Sequence, residues 1–155
     1  MHGVTPDDLA AIEEIAARDH HLAVVSTVRA DGTVQSSVVN AGILPHPLFT
    51  EPTVGFVTYG RAKLANLRRR PRATLVFRAG WQWIAVEGHC DIAGPDDALA
   101  GVDPGSLPSL LRAIFRAAGG THDDWDEYDR IVAAERRAAV LLRPERTYTN
   151  PAPAH

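Results

Sequence analysis

The stretch YGRAKLANLRRRPR, residues 59–72, combines a glycine, a short helix pattern and a cluster of positive charge. Six of the 16 cationic residues in this chain of 155 residues fall between positions 61 and 72, among them its single lysine, Lys63. Leu64 and Leu67 are spaced to hold a helix against a core, and Pro71 ends that helix. Gly60 stands just before the helix, and the free N–H groups of the helix's first turn, together with its dipole, suit an anion such as a ligand phosphate. Arg61 and Lys63 lie in that turn and can add charge-assisted hydrogen bonds.

A run of cations is also typical of a solvated helix face, so the residues alone leave two interpretations open. Lys63, Asn66 and Arg70 recur at i, i+3 and i+7 and are expected on one face, beside the glycine. The remaining arginines of the cluster, Arg68, Arg69 and Arg72, are expected to face solvent. The cluster therefore predicts either a phosphate site centred on Arg61 and Lys63 or a basic surface.

Strand patterns lie on both sides of this segment. β-branched residues dominate 21–30 and 33–43, and Asp31-Gly32 between them predicts a type I′ hairpin turn. The full pattern predicts strands at 21–30, 33–43, 53–60, 72–80, 81–94 and 138–149, helices at 6–18, 61–70, 108–120 and 121–137, and a proline-rich loop at 44–52. Hairpin-connected strands with small helices favour an antiparallel barrel with peripheral helices.

The whole chain, 1–155, is expected to form a single domain, with an N-terminal helical segment at 1–20 and a flexible tail at 149–155. In the strand at 81–94, one face carries the core-like residues Ile84, Val86, Cys90 and Ile92. Cys90 is therefore expected to be buried and inert.

Composition excludes several classes of function. The net charge of −3 and the pI near 6.1 disfavour a nucleic-acid binder, since such domains usually have a pI above about 9. No apolar run approaches the roughly 20 residues of a membrane span. The N-terminus shows no signal peptide, and the single cysteine excludes an internal disulfide, so we expect a cytoplasmic protein. No metal-binding motif is present in the sequence.

The order Thr58-Tyr59-Gly60-Arg61-Ala62-Lys63, then Asn66-Leu67-Arg68 and Arg70-Pro71-Arg72-Ala73, resembles the signature of the pyridoxamine 5′-phosphate oxidase-like split β-barrel superfamily. Three further segments are similar to the deazaflavin (F-420)-dependent reductases of the B-type group: GWQWIAVEGHCDI (80–92), HDDWDEYDR (122–130) and RRAAVLLRPERTY (136–148). The resemblance implies a mainly β (α+β) fold, a six-stranded antiparallel split β-barrel of the FMN-binding type with peripheral helices.

The resemblance also implies a homodimer with a cofactor in a groove at the subunit interface. Arg61 and Lys63 would hold the cofactor phosphate, and the residues lining it would be Thr58, Tyr59, Gly60 and Ala62. The second strand would run beside the tricyclic ring through Gln35, Ser36, Ser37, Val38, Val39 and Asn40, and the partner subunit's Trp81 and Trp83 would wall that ring. From the residues alone, this strand could equally be a solvated edge and the tryptophans core aromatics. Tyr148 is a weaker candidate for the ring or substrate side.

The activity implied is hydride transfer from reduced F-420 to an unsaturated small molecule, without a protein nucleophile. The resemblance assigns no proton donor. His46, in the proline-rich loop, is the only candidate that we offer for that role. Three alternatives stay open: an FMN-binding oxidoreductase, a non-catalytic flavin, deazaflavin or haem binder, and a nucleic-acid module using Arg68–Arg72. The net charge counts against the last of these.

Overall fold

The computed structural model describes residues 3–150. Six strands, all paired antiparallel, close into a barrel in the order β1-β2-β3-β6-β5-β4. They are β1 (Leu22–Val28), β2 (Val34–Pro45), β3 (Pro52–Thr58), β4 (Arg72–Ala79), β5 (Gln82–Ala93) and β6 (Ala138–Thr149). The helices of the described range are α1 (Pro6–Ala17), α2 (Arg61–Arg69), α3 (Leu107–Ala117) and α4 (Trp125–Ala134). The prediction of a six-stranded antiparallel barrel with peripheral helices is confirmed.

The barrel interior is filled by alternate residues of all six strands, and the first two helices pack onto it. Phe56, Phe77 and Cys90 lie in this interior cluster. Ile12 of α1, a helix that contacts β2, β4 and β5, and Leu67 of α2, a helix that contacts β1, both belong to this cluster. As expected, Cys90 is buried, and that burial raises the pKa of its thiol to about 12.

A second apolar cluster lies outside the barrel, where α3 and α4 cover β2, β3 and β6. Ile114 of α3 packs there with Leu44 and Leu141. The approach is close because Gly42 has no side chain: a Cβ at this position would lie 2.2 Å from the carbonyl carbon of Ala117. α3 therefore lies directly on the C-terminal half of β2.

The N-terminal half of β2 has a strand neighbour on one side only. Residues 34–40 pair with β1, whereas the pairing with β3 covers Ala41–Pro45 alone. Beyond Ala41 the two strands diverge, and α2 begins shortly after β3 ends. The edge of residues 34–40 that faces away from β1 thus offers main-chain N–H and C=O groups to a ligand.

The predicted type I′ turn at Asp31-Gly32 is wrong. Of these two residues only Gly32 has a positive φ, 89°. The Gly32 N–H donates to the Arg29 carbonyl at 2.9 Å, and the Asp31 carboxylate accepts the Thr33 N–H at 3.0 Å. Ala30 and Asp31 therefore occupy an ordinary type I turn, followed by a glycine bulge, which is the usual three-residue hairpin loop.

Other boundaries also differ from the predictions. β2 continues to Pro45 and β3 begins at Pro52, so the predicted loop at 44–52 shrinks to 46–51. Trp81 lies in the turn before β5, where Gly80 has a φ of 64°, rather than in the strand. Thr149 is the last residue of β6, and residues 151–155 of the predicted tail lie outside the described range. Over that range, no helix has the length and apolar character required to cross a membrane.

Candidate functional site

The N-terminus of α2 is open. Gly60 is its N-cap residue and supplies no side-chain cap, while its own N–H donates to Thr58 Oγ1 at 3.1 Å. A Cβ at Gly60 would lie 3.4 Å from Thr58 Oγ1 and 3.8 Å from Lys63 Nζ, so both polar atoms border the space beside the glycine. The uncapped first-turn N–H groups and the helix dipole make this a site for an anion.

Lys63 is buried beside this helix start, with 8% of its surface exposed. Its Nζ lies 3.5 Å from Thr58 Oγ1 and 6.0 Å from the centroid of the Phe56 ring. No carboxylate in residues 3–150 lies within ion-pair distance of it, and burial lowers the pKa of its ammonium group. A buried cation without a counter-ion is costly, so a bound anion would stabilise it.

Arg61, the second predicted phosphate ligand, is exposed and makes no hydrogen bond or ion pair with another residue of the described range. Ala62 follows it on the exposed side of the first turn, and Tyr59 precedes Gly60 with 59% of its surface exposed. The structure thus brings the predicted residues 58–63 together around one helix start.

A buried hydrogen-bond chain joins α2 to β1 and β2. Asn66 Nδ2 donates to Thr27 Oγ1 at 3.1 Å, and that hydroxyl lies 3.4 Å from Gln35 Oε1. Asn66 and Thr27 are both nearly inaccessible to solvent. Gln35 is one of the predicted ring-side residues, and this chain fixes it relative to the phosphate end of the site.

The predicted ring-side residues of β2 alternate in direction. Gln35 and Ser37 turn toward the interior, and the Ser37 hydroxyl is buried without a hydrogen-bond partner in the described range. Ser36 and Val38 face outward, with Val38 61% exposed. The Asn40 amide donates to the His20 carbonyl at 2.8 Å, so this side chain holds the connection between α1 and β1.

The two tryptophans lie at the opposite end of the barrel. Trp81 is 94% exposed, and the Trp83 ring meets the Tyr148 ring edge-on at 6.2 Å. The Tyr148 hydroxyl donates to Glu87 Oε2 at 3.1 Å. Because β5 begins at the end of the barrel where β3 also begins, a single chain does not bring Trp81 or Trp83 to Gly60.

The arginines that follow Lys63 do not extend the site. The expectation that Arg70 shares a face with Lys63 and Asn66 is wrong, because the helix ends at Arg69 and Arg70 has an extended backbone. Arg68 binds Asp97 through its Nε at 2.8 Å, and Arg72 binds Glu145 at 3.0 Å. These two ion pairs neutralise two of the six cations that the sequence places in one cluster.

Two features were missed by the sequence prediction. Thr27 joins the site from β1, and the Arg137 guanidinium lies 5.0 Å from the centroid of the Tyr59 ring. The second contact follows from strand register, since Thr58 is paired with Ala138.

His46, the candidate proton donor, lies next to the start of β3 and forms a hydrogen bond with Asp91, away from the helix start at Gly60.

The burial of Lys63 has a testable pH dependence. Burial lowers the pKa of Lys63 below its ordinary value of 10.5, so between the two values the unfolded chain binds more protons than the folded one. The stability of the cofactor-free protein should therefore rise with pH in that window. Lys63→Met is expected to raise the melting temperature at neutral pH, and this gain should shrink as the pH approaches 10.5. Thermal unfolding at a series of pH values measures the difference in melting temperature between Lys63→Met and the wild type. Arg69→Met is the control. A difference that does not change with pH would contradict the expectation.

A closed antiparallel barrel with one strand pair that diverges, beside an uncapped helix start and a buried lysine, has the architecture of a split β-barrel. Residues 10–149 match the pyridoxamine 5′-phosphate oxidase family, and the chain belongs to that family.

Solved structures support the same fold. The chain is similar to a pyridoxamine 5′-phosphate oxidase-related, FMN-binding protein from Nostoc punctiforme, with a TM-score of 0.61 and 14% identity over 96% of this chain and 86% of that one. An F420 reductase gives a TM-score of 0.54 and 17% identity over 82% and 88% of the two chains. A heme binding protein from Mycobacterium smegmatis gives a TM-score of 0.60 and 16% identity, over 95% of this chain and 55% of that one. The fold is thus that of the FMN-binding split barrels.

Proposed function

We propose that this protein is an F-420-dependent oxidoreductase, which transfers hydride from the reduced deazaflavin to an unsaturated small molecule. The observation that carries the proposal is Lys63, a buried cation without a counter-ion beside the uncapped start of α2. This arrangement favours a cofactor that carries a phosphate. The choice of F-420 over FMN is supported by the B-type sequence segments and by the similarity to an F420 reductase.

In this proposal, the chain binds and orients the cofactor. Arg61 and Lys63 would hold the phosphate with the first-turn N–H groups of α2, and Thr58 would position the Lys63 ammonium. The free main-chain edge of residues 34–40 would hydrogen-bond the ring, which supplies the hydride when bound. The chain's part is then binding, orientation and exclusion of water, with no protein nucleophile.

We further propose that the protein is a homodimer. The strand pairing aligns an outward row across five strands: Val38, Val24, Val76, Ala85 and Tyr148. Val38, Val24 and Tyr148 are 61%, 42% and 44% exposed, Val76 is half-buried and Ala85 is buried, and α3 and α4 lie elsewhere. An uncovered apolar sheet face of this kind suits a two-fold contact between copies. Trp81 and Trp83 border this face and would reach the partner's cofactor.

The cofactor choice is tested by titrating the purified protein with F-420 and with FMN, following the fluorescence of each. We expect saturable F-420 binding and much weaker FMN binding. Tight FMN binding without F-420 binding would replace the proposal with an FMN-binding oxidoreductase. A haem Soret shift without binding of either F-420 or FMN would indicate a haem-binding protein.

The proposed location of the protein is the cytoplasm, and its proposed substrate is a small molecule.

A further inference from the structure

A cavity opens to solvent at the end of β3 opposite Gly60. The pairing of β3 with β6 begins at Val54 and Leu142, and two residues further out lie Pro52 and Pro144. Prolines lack the N–H that a strand ladder needs, so the pairing stops and the strands part. The cavity between them, of about 240 Å³, is also lined by Val4 and Leu9, from the beginning of α1 and the residues just before it.

One wall of this cavity is held by a buried polar network. His46 is 2% exposed, and its Nδ1 accepts the Leu48 N–H at 3.1 Å, so Nε2 carries the proton and donates it to Asp91 Oδ2 at 2.8 Å. Arg143 Nε donates to the same oxygen at 2.8 Å, and Arg143 Nη2 lies 2.7 Å from it in an ion pair. The guanidinium is thereby fixed, and its Nη1 makes no hydrogen bond within residues 3–150.

Phe49 completes the wall. Its ring stacks on the His46 imidazole with 4.7 Å between centroids, and the Arg143 guanidinium lies 4.6 Å from its centroid. Asp91 is shared by His46 and Arg143, and Phe49 contacts both, so the four side chains restrain one another. His46 and Asp91 are buried in this cluster, whereas Arg143 and Phe49 are each about half exposed and present polar and apolar surface to the cavity. A concave site that combines apolar surface with a few fixed polar groups suits a small ligand.

The opposite charge in the cavity comes from Glu51. Glu51 lines it, is exposed, and forms no ion pair with any residue of the described range. Glu51 and Arg143 are lining residues of opposite charge: Arg143 already has an ion-pair partner in Asp91, whereas Glu51 has none in the described range. The apolar part of the lining is formed by Val4, Leu9, Pro52 and Pro144, together with Phe49.

We propose that this cavity binds a small zwitterion with an apolar chain, of the size and chemistry of an aliphatic α-amino acid. The ammonium group binds Glu51, the carboxylate accepts from Arg143 Nη1, and the aliphatic chain packs on Val4, Leu9 and the prolines. The volume lies below the roughly 300–1,000 Å³ of pockets for drug-sized ligands, which restricts the ligand to this size. Binding is non-covalent and independent of the cofactor site.

The test is a titration of the ¹⁵N-labelled full-length protein with L-leucine, leucinamide and 4-methylpentanoate, followed by NMR. Leucine is expected to give saturable shifts of the amides of Arg143 and of the residues of 46–53 other than Pro47 and Pro52, which have no N–H. Leucinamide lacks the carboxylate and 4-methylpentanoate lacks the ammonium, so each should bind at least about tenfold more weakly, as expected for the loss of one charged hydrogen bond.

Glu51→Gln should weaken leucine binding by about tenfold but leave 4-methylpentanoate binding unchanged or stronger. The matched control is Glu14→Gln, which removes the charge of an exposed carboxylate on α1 that does not line the cavity, and it should have no effect on leucine binding. The proposal is overturned if leucine gives no saturable shift in these residues, if 4-methylpentanoate binds as tightly as leucine, or if the two glutamine variants behave alike. None of these readouts involves F-420, so this proposal and the proposed function fail separately.

Discussion

The double variant Arg61→Ala with Lys63→Ala is expected to bind F-420 at least about 100-fold more weakly than the wild type, since each charged hydrogen bond contributes about 1.5–3 kcal/mol. Lys63 provides the buried charge beside the uncapped start of α2, and Arg61 provides an exposed cation in the same turn. Deazaflavin fluorescence during titration gives the dissociation constant. Thermal unfolding of the cofactor-free variant checks that it is folded.

Arg69→Ala is the matched control for this experiment, because Arg69 lies on the same helix, is exposed, and has no hydrogen-bond partner in the described range. It should bind F-420 nearly as the wild type does. If Arg69→Ala cost as much affinity as the loss of Arg61 or Lys63, the cluster would act as a diffuse basic surface and the defined phosphate site would be wrong. Lys63→Met alone, which keeps the side-chain volume, separates charge from packing.

The second large effect is expected from Val24→Glu, a substitution in the outward apolar row. Val24 is paired with Val38 on one side and Val76 on the other, so a two-fold contact would bury the new carboxylate against apolar side chains twice. An unpaired buried charge costs several kcal/mol, so the dimer dissociation constant should rise at least about 100-fold. Light scattering coupled to size exclusion should find a dimer for the wild type and a monomer for the variant.

Ile131→Glu is the control for the dimer experiment. Ile131 is 41% exposed, close to Val24 in accessibility, but it lies on α4, away from the open sheet face. This variant should remain dimeric. A monomeric wild type would remove the homodimer proposal, and a dimeric Val24→Glu would place the contact on another surface. If the partner's Trp81 walls the ring, the monomeric variant should also lose F-420 affinity.

The sequence predicted most of the fold, because the signals that decide it are local. Alternating β-branched residues identify β1 and β2, and the spacing of Leu64 and Leu67 identifies the buried face of α2. The turn at Asp31 was mispredicted because an Asp-Gly pair fits both a type I′ turn and a three-residue loop with a glycine bulge. Only the register of the flanking strands distinguishes the two.

The site was less predictable, because its properties arise from contacts between distant segments. Thr27 and Asn66 are 39 positions apart, and no local pattern indicates that they share a hydrogen bond. The burial of Lys63 without a carboxylate likewise depends on what β3 and α2 place around it. Arg70 shows the reverse failure, since helical spacing was extrapolated one residue past the point where the backbone becomes extended.

The free edge of β2 also bears on how the protein is made. A newly folded chain displays seven residues of strand, 34–40, with one side unpaired, next to an apolar sheet face. Such an edge is a template for unwanted strand addition between chains. Polar side chains at Gln35, Ser36, Ser37 and Asn40 reduce this risk by making the segment a poor aggregation nucleus. In the proposed assembly, the bound cofactor would cover the unpaired edge and the second subunit would cover the apolar face. An expression host without the cofactor would then yield less soluble protein.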